Sequence, residues 1–264
     1  MKLIVHLHVY YTDQVDQFIR WMQNITHPFA LYVTLVQDDQ DVRRAIVDFK
    51  ADAIILVVPN LGYDIAPFLF VLDKLSLDPD VYLLKLHTKG TYLDRRVLIN
   101  KCRMNYVKWG ETLVDSLLHD AGTFQKNLAL LLDDQTIGMV AADGCITPER
   151  RHVRKLMPMI RGEILRIGFP MPRAWSFVAG TTFLARAELF RPLQKVYTAA
   201  DFDQSSSSIR DGLLAHGVER IFGALVYAQH QRIAACCRNA LPWPNRHWRA
   251  LQQLRSIFWE RYVR

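Results

Sequence analysis

The first half of the chain alternates short apolar runs with segments of helical periodicity. The apolar runs, rich in β-branched residues, lie at 3–11, 30–36, 53–58 and 81–86. Helical periodicity separates the first three of these runs, at 13–24 and 38–50. This alternation is typical of an α/β domain with a mostly parallel central sheet. Asp13 and Asp38 stand before the two helical segments, so both are expected to act as N-caps.

The second half of the chain continues this alternation with longer helices. Helical patterns are predicted at 97–119, 123–132 and 211–228, and a strand at 137–143. Residues 175–190 indicate a strand, a tight Ala-Gly turn, a second strand and the start of a helix. The basic, proline-containing passage at 150–174 lacks a clear period and is predicted to be a loop or lid.

Composition favours one globular catalytic domain. The chain of 264 residues is 50% hydrophobic and 22% charged, which is enough apolar material for one large core. We expect this domain to span residues 1–238, followed by a basic aromatic helical tail at 239–264. The four cysteines lack the paired spacing of a zinc site and are expected to be reduced packing residues.

The apolar runs are too short to cross a membrane, since none approaches roughly 18 to 20 residues. His6 and His8 interrupt the opening segment, which also lacks a small-residue cleavage site, so it predicts a strand and not a signal peptide. A cytoplasmic protein is therefore expected, with only peripheral contact at the inner face of the cell membrane.

The net charge of +7 and the pI near 9.3 favour polyanionic partners, such as nucleic acid, anionic lipid or a nucleoside diphosphate. No nucleic acid is expected, because acidic residues interleave with the basic ones and no nucleic-acid motif occurs. The tail suits either an anionic membrane surface or packing on the domain or a second subunit. Its apolar and basic stripe comprises Trp248, Leu251, Arg255, Phe258 and Tyr262.

Polar residues follow the third predicted strand, where the carboxyl end of an open α/β sheet accommodates ligands. Asn60 and Asp64 could hold ribose or sugar hydroxyls, and Gly62 permits a tight turn between them. The alternative is an ordinary turn in which Asp64 caps the next helix.

The tripeptide His87-Thr88-Lys89 follows the fourth predicted strand. A cation, a hydroxyl and an imidazole at a strand end can neutralise a diphosphate leaving group, the task of a divalent ion in many nucleotide-sugar enzymes. Lys85 points to the face opposite Leu86 and is interpreted as a strand-edge lysine.

The helix predicted at 211–228 carries a third group of polar residues. Helical spacing places His216, Glu219 and Arg220 on adjacent turns, with Asp211 near the start. A carboxylate here could be the general base, and Arg220 could orient it or meet a phosphate. The alternative is a surface helix held by salt bridges.

Five motifs follow one another along the chain: HLHVYY, NLGYDIAP, LKLHTKG, FVAGTTFLARAELF and DGLLAHGVERIFG. Together they resemble the rhamnan synthesis protein F family of polysaccharide-assembly proteins, over roughly residues 2–228. It implies a nucleotide-sugar-binding glycosyltransferase A-type (Rossmann-like) single domain, associated with rhamnose-containing or related cell-surface glycans.

The resemblance also implies a role for each strand end. His8 and Tyr10 would lie beside the nucleotide, and Asn60, Gly62 and Asp64 beside the ribose or donor sugar. His87, Thr88 and Lys89 would lie beside the diphosphate, with Arg220 also on the donor side. The acceptor side would be shaped by Ala179, Gly180, Thr181 and His216.

The working hypothesis is sugar transfer from a nucleoside-diphosphate sugar to a hydroxyl of a lipid-linked or growing glycan. Lys89 with His87 would stabilise the leaving group, and Asp211 or Glu219 would be the base. Neither a metal nor another cofactor is expected, because no DxD motif follows the fourth strand. The alternative is a non-catalytic sugar-nucleotide or glycan-binding module of a polysaccharide-assembly complex. The anomeric outcome and the oligomeric state stay open.

Overall fold

A central sheet organises the chain in the computed structural model, which describes residues 1–91, 96–99, 102–149, 155–203 and 212–237. The sheet has seven strands, with the order β3-β2-β1-β4-β10-β7-β11. These strands are β1 (Lys2–Val9), β2 (Phe29–Leu35), β3 (Ile54–Val57), β4 (Val81–His87), β7 (Ile137–Ala141), β10 (Phe183–Arg186) and β11 (Arg232–Ala235). Only β10 runs antiparallel to its neighbours, so the expected mostly parallel α/β sheet is confirmed.

Two small antiparallel pairs accompany the central sheet. They are β5 (Arg96–Ile99) with β6 (Cys102–Asn105), and β8 (Ile146–Pro148) with β9 (Ser176–Val178). The tight turn predicted after residue 178 is present, but the strands on its two sides, β9 and β10, enter different sheets.

Helices cover both faces of the central sheet. One face is packed mainly by α1 (Val15–Met22), α2 (Gln40–Phe49), α4 (Tyr106–Leu118) and α5 (Ala121–Asp133). The other face is packed by α3 (Ile65–Leu72), α6 (Met157–Arg166) and α7 (Leu214–Ala228). Short 3₁₀ turns lie at Thr12–Gln14, Asp143–Cys145, Ala187–Leu193 and Ala199–Asp201. Each face therefore has its own buried apolar cluster, separated by the sheet.

The register of β1 and β4 places polar side chains on one face. His6 lies opposite Lys85 and His8 opposite His87, while Thr34 of β2 lies beside His8 on the other side. Because side chains alternate along a strand, these residues share the face that α3 covers. The polar residues of the first and fourth strands thus meet near the carboxyl end of the sheet.

Both predicted N-caps are wrong. Asp13 lies inside the 3₁₀ turn, and α1 begins two residues later at Val15. Asp39, one residue after the predicted cap, accepts hydrogen bonds from the backbone N–H groups of Asp41 and Val42, both at 3.0 Å. Asp38 instead forms an ion pair with Arg43. A hydrophobic period locates a helix but leaves its first residue uncertain by one or two positions.

The helix predicted at 97–119 begins only at Tyr106. Asn105 caps it by accepting a hydrogen bond from the backbone N–H of Lys108 at 2.8 Å, and β5 and β6 occupy the preceding residues. The loop predicted at 150–174 is also wrong in part, because α6 lies within it. Ile160 and Ile164, one helical turn apart, are buried there, and Pro158 is tolerated because it stands in the first turn.

The cysteine prediction is correct for Cys145 and Cys236, whose thiols are reduced and buried. Cys237 is also a reduced thiol but is exposed, so its expected packing role is wrong, and the side chain of Cys102 lies outside the described residues. No helix within the described ranges is both long and apolar enough to span a bilayer. The tail predicted at 239–264 lies outside them.

Candidate functional site

Polar side chains concentrate at the carboxyl ends of β1 and β4. The chain order reverses at these two strands, because β2 and β3 lie on one side and β10, β7 and β11 on the other. Such a switch point is where open α/β sheets bind ligands. The interpretation of Lys85 as a strand-edge lysine is wrong, because β4 is a central strand and Lys85 is 0% exposed.

Lys85 joins Asp64 and Thr181 into one buried cluster. Its ammonium donates to a carboxylate oxygen of Asp64, to the carbonyl of Thr181 at 3.1 Å and to the hydroxyl of Thr181 at 3.2 Å. The Thr181 hydroxyl also donates to Asp64. Although Asp64 stands at the N-terminus of α3, its side chain makes no capping bond. The helix-cap alternative is therefore wrong, and the carboxylate faces Lys85 instead.

The charges of this cluster depend on each other. Burial opposes ionisation of Asp64, but the charge that His87 carries once it is protonated in acid, the Lys85 ammonium and two hydrogen bonds outweigh it, so the pKa of Asp64 lies well below the usual value. Burial also lowers the pKa of Lys85, while the Asp64 carboxylate acts in the opposite direction. A buried ammonium is costly without partners, so the contacts of Lys85 are required for its burial.

The turn between β9 and β10 has two residues in the left-handed region. Gly180 has φ +92° and Thr181 has φ +47°. This conformation costs a β-branched residue about 1–3 kcal/mol and persists only where the surroundings enforce it. The Gly180 N–H donates to Glu219 at 2.9 Å, and its carbonyl lies 2.7 Å from Nε2 of His87. Side chains from β4, α3 and α7 thus hold this turn.

The three side chains of the His-Thr-Lys tripeptide have different contacts in the structure. Burial lowers the pKa of His87 to about 4, so the ring is neutral near pH 7 and donates its one proton to a carbonyl. The Thr88 hydroxyl accepts hydrogen bonds from the backbone N–H groups of Tyr10 and Tyr11 at 2.9 and 3.0 Å. The side chains of His87 and Thr88 therefore hold neighbouring backbone segments in place. Lys89 is the cationic residue of the tripeptide.

Lys89 lies at the wall of a cleft of about 150 Å³ between α1 and α4. Its ammonium lies 3.6 Å from the centroid of the Trp109 ring, and burial lowers its pKa. Its backbone pairs with the side-chain amide of Gln14, at 2.6 and 3.0 Å. Within the described part of the chain, the ammonium has no hydrogen bond or ion pair. An anion bound in the cleft could therefore pair with it without displacing a carboxylate.

The predicted polar residues of α7 are largely buried. Glu219 accepts from Gly180 with one oxygen and from Arg220 with the other, and their side chains are 16% and 9% exposed. The Arg220 guanidinium lies 5.0 Å from the Phe177 ring centroid. Nδ1 of His216 accepts from the backbone N–H of Leu213 at 3.2 Å. The alternative of a surface helix with salt bridges is right about the ion pair of Glu219 and Arg220 but wrong about the surface, because these side chains are mostly buried and fix the turn and the start of α7.

The side chains of the other predicted site residues do not join these contacts, although the backbone N–H of Tyr10 bonds to Thr88. Asn60 is exposed, and Tyr10 is 45% exposed with its ring against Tyr11. Gly62 has φ +60°, and a Cβ there would lie 2.7 Å from the Phe202 ring. Asp211, proposed from the sequence as a base, lies outside the described residues.

Sequence reasoning missed three buried members of the site, His6, Thr34 and Lys85. The Thr34 hydroxyl lies 2.9 Å from Nε2 of His6 and 3.0 Å from Nδ1 of His8. Burial lowers the pKa of His8 to about 3. The available signal was the alternation itself, since titratable residues occupy every second position of otherwise apolar strands.

Metal ligands show no comparable grouping. Among the described residues, no three His, Cys, Asp or Glu side chains converge in a way that could hold an ion. Activity without a metal stays a prediction.

The proteins to which this chain is similar include two curated proteins and a solved structure. "Uncharacterized protein WxcX" from two strains of Xanthomonas campestris pv. campestris is 29% identical over 239 residues, covering 87% of this chain and 32% of the relative. The chain therefore spans about a third of the length of these relatives. A crystal structure of S. aureus TarS 1-349 aligns with TM-score 0.45 and 11% identity, over 90% of this chain and 59% of that one. That likeness is too weak to support an inference.

The sequence model described as rhamnan synthesis protein F matches residues 1–231. This match includes both ends of the site, from the histidines of β1 to the polar residues of α7. By this match over most of its length, the chain belongs to the rhamnan synthesis protein F family.

Proposed function

We propose that this chain is a glycosyltransferase domain of polysaccharide assembly. It moves rhamnose or a related sugar from a nucleoside-diphosphate sugar to a hydroxyl of a growing or lipid-linked cell-surface polysaccharide. Family membership and the sheet order, which is compatible with a glycosyltransferase A-type domain, support this proposal. The observation that carries it is the ammonium of Lys89, which lines a cleft at the switch point and forms no ion pair with any residue that the structure describes.

Lys89 supplies the charge that the leaving group requires. When the bond between sugar and diphosphate breaks, negative charge grows on the phosphate oxygens, and an ammonium in a partly desolvated cleft stabilises it strongly. His87 is neutral and bonded to Gly180, so we assign it to support of the turn. Of Lys89 and His87, which the sequence suggested as joint stabilisers of the leaving group, only Lys89 is charged and keeps that role.

The incoming hydroxyl requires a base, which is Asp211 or Glu219. Both oxygens of Glu219 already accept hydrogen bonds, which favours Asp211. We expect Asp211→Asn to abolish transfer and Glu219→Gln to reduce it through the turn. Near-normal turnover in both variants would remove the base assignment.

The first test combines ligand binding with transfer. A thermal-shift panel of nucleoside-diphosphate sugars, with and without Mg²⁺ or Mn²⁺, identifies the donor, because a ligand that binds only the folded state raises its stability. Radiolabelled transfer from that donor to a lipid-linked acceptor is then measured with EDTA. We expect activity to survive chelation; loss that added metal restores would contradict metal independence. Selective binding without transfer would favour the non-catalytic module.

Lys89→Ala tests the residue on which the proposal rests. Removing a preorganised charge from a developing oxyanion costs about 10²–10³-fold in turnover, so we expect kcat to fall by that factor while the melting temperature is kept. Lys126→Ala on α5 is the matched control, because Lys126 is exposed. Equal turnover of the two variants would sink the role of Lys89.

A further inference from the structure

Lys85 is a buried cation with no direct route to a substrate. It is 0% exposed, lies in the middle of the sheet on β4, and directs its ammonium to three oxygens of Asp64 and Thr181. An ammonium has three protons, so these contacts use its full donor capacity. Lys85 can therefore influence a substrate only indirectly, through Asp64 and Thr181, which it holds in place.

Thr181 is the group whose conformation depends most on Lys85. Its φ of +47° is unfavourable for a β-branched residue, and its carbonyl and hydroxyl both accept from the Lys85 ammonium. The hydroxyl is further bound to Asp64. Lys85 and Asp64 thus supply the contacts that keep Thr181 in the left-handed region.

The turn that contains Thr181 rests on Trp109. A Cβ added to Gly180 would lie 2.9 Å from Cζ2 of Trp109 and 2.8 Å from Leu113, so the turn backbone and the indole are in close contact. The indole also contacts Lys89, whose ammonium lies 3.6 Å from the ring centroid. Lys85, the turn, Trp109 and Lys89 form a continuous series of contacts.

We infer that Lys85 is a positioning residue, which fixes the Gly180–Thr181 turn and, through Trp109, the place of the Lys89 ammonium in the cleft. The inference rests on the proposed function only for the identity of the ligand that Lys89 meets. The part of the inference that concerns the positions of Thr181, Trp109 and Lys89 does not depend on whether the protein catalyses a reaction.

The test uses a substitution that breaks the series and a second that repairs it. Lys85→Gln removes the ammonium, so Thr181 is expected to leave the left-handed region and the indole to shift. Glycine adopts φ +47° without strain, so adding Thr181→Gly should return the turn to its place without Lys85. Lys74→Gln, on an exposed residue, is the matched control.

The first readout is the ¹⁹F NMR signal of Trp109 in protein labelled with 5-fluorotryptophan, assigned by Trp109→Phe. We expect Lys85→Gln to shift or broaden this signal and the double variant to restore it. An unchanged Trp109 signal in folded Lys85→Gln protein would overturn the inference, as would a double variant no closer to the wild type than the single one. If Lys85→Gln does not fold, Asp64→Asn replaces it, and the same two outcomes decide.

The second readout is the dissociation constant for uridine diphosphate and deoxythymidine diphosphate, by calorimetry. We expect Lys85→Gln to weaken binding about tenfold, and the double variant to recover most of it. A purely structural lysine would lower the melting temperature without this recovery. Should the wild type bind neither diphosphate, the proposed function fails, while the ¹⁹F signal still decides the positioning role.

Discussion

Protonation of the buried histidines of β1 and β4 affects the stability of the folded protein. His6, His8 and His87 are at most 7% exposed, and burial lowers the pKa of each. Their charged forms are unfavourable in the fold chiefly because burial removes their hydration, and the Lys85 ammonium among them adds repulsion. The site is therefore built on neutral imidazoles beside a charged lysine and a carboxylate.

Acid should destabilise the protein well before its carboxylates are protonated. Unfolded histidine binds a proton below about pH 6.5, whereas folded His8 and His87 do so only near about 3 and 4. The folded pKa values are lowered, so the unfolded state binds more protons and stability falls as pH drops. We expect the free energy of unfolding to fall by about 1.4 kcal/mol per pH unit for each histidine, below about pH 6.

Urea unfolding at several pH values between neutrality and mild acid measures this slope. His8→Gln should flatten it, because the variant lacks one of the groups that take up a proton on unfolding. His27→Gln, between α1 and β2, is the matched substitution away from the cluster. Identical slopes for wild type and His8→Gln would contradict this origin of the acid sensitivity.

Two helical glycines provide opposite tests at the scale of the elements. A Cβ on Gly223 of α7 would lie 2.2 Å from the carbonyl oxygen of Ser176, so α7 packs directly on the backbone of β9. A Cβ on Gly162 of α6 would meet nothing within 4 Å. The first glycine is thus required by packing and the second is not.

Alanine at the two glycines should change stability with opposite sign. Overpacking costs about 1–3 kcal/mol, so Gly223→Ala is expected to lower the free energy of unfolding by at least that amount. Gly162→Ala should raise it by about 0.5–1 kcal/mol, because alanine loses less entropy in a helix. Chemical denaturation measures both, and stabilisation by Gly223→Ala would show that α7 does not pack so closely.

Arg186 joins β10 to the end of α5 and the start of β7. Its buried guanidinium donates to the carbonyls of Leu131 and Ile137 and to the Tyr82 hydroxyl. Its described hydrogen-bond partners are neutral oxygens, so the contribution is to satisfy carbonyls that would otherwise be buried without partners.

Arg186→Met should leave those carbonyls without donors. Each unsatisfied buried group costs about 1–3 kcal/mol, so a loss of about 3 kcal/mol in unfolding free energy is expected. Arg44→Met on α2, whose side chain is 72% exposed, is the control and should change little. If the two variants lose comparable unfolding free energy, the buried contacts of Arg186 are not the cause of its effect on stability.

At the scale of the whole molecule, the lipid-linked acceptor that we propose would require the domain to reach a membrane surface. The tail at 239–264, outside the described residues, combines tryptophans with basic residues. Full-length protein is expected to float with anionic liposomes, and a version ending at Asn239 to stay in the soluble fraction. If the two float equally, the tail is not the anchor; a changed oligomeric mass would instead favour packing on a second subunit.

Local patterns in the sequence were sufficient for much of the architecture. Period-two and helical patterns predicted the principal strands and most of the helices, because burial of one side of an element leaves a periodic trace. The strand-end motifs pointed to the edge of the sheet where polar side chains of β1 and β4 meet. Helix starts and the hairpin of β5 and β6 were missed, since caps and short strands depend on particular hydrogen bonds.

Only the tertiary structure decided which residues of the site contact each other. Asp64 and Thr181 are 117 positions apart, and Lys85 and Thr181 are 96 apart. The sequence determined that a histidine, a threonine and a lysine end the fourth strand, and that glycine precedes Thr181. It could not show that Lys85 is buried, that His87 is neutral, or that Lys89 lies over Trp109. Burial and charge are properties of neighbours in space, and only the folded chain brings those neighbours together.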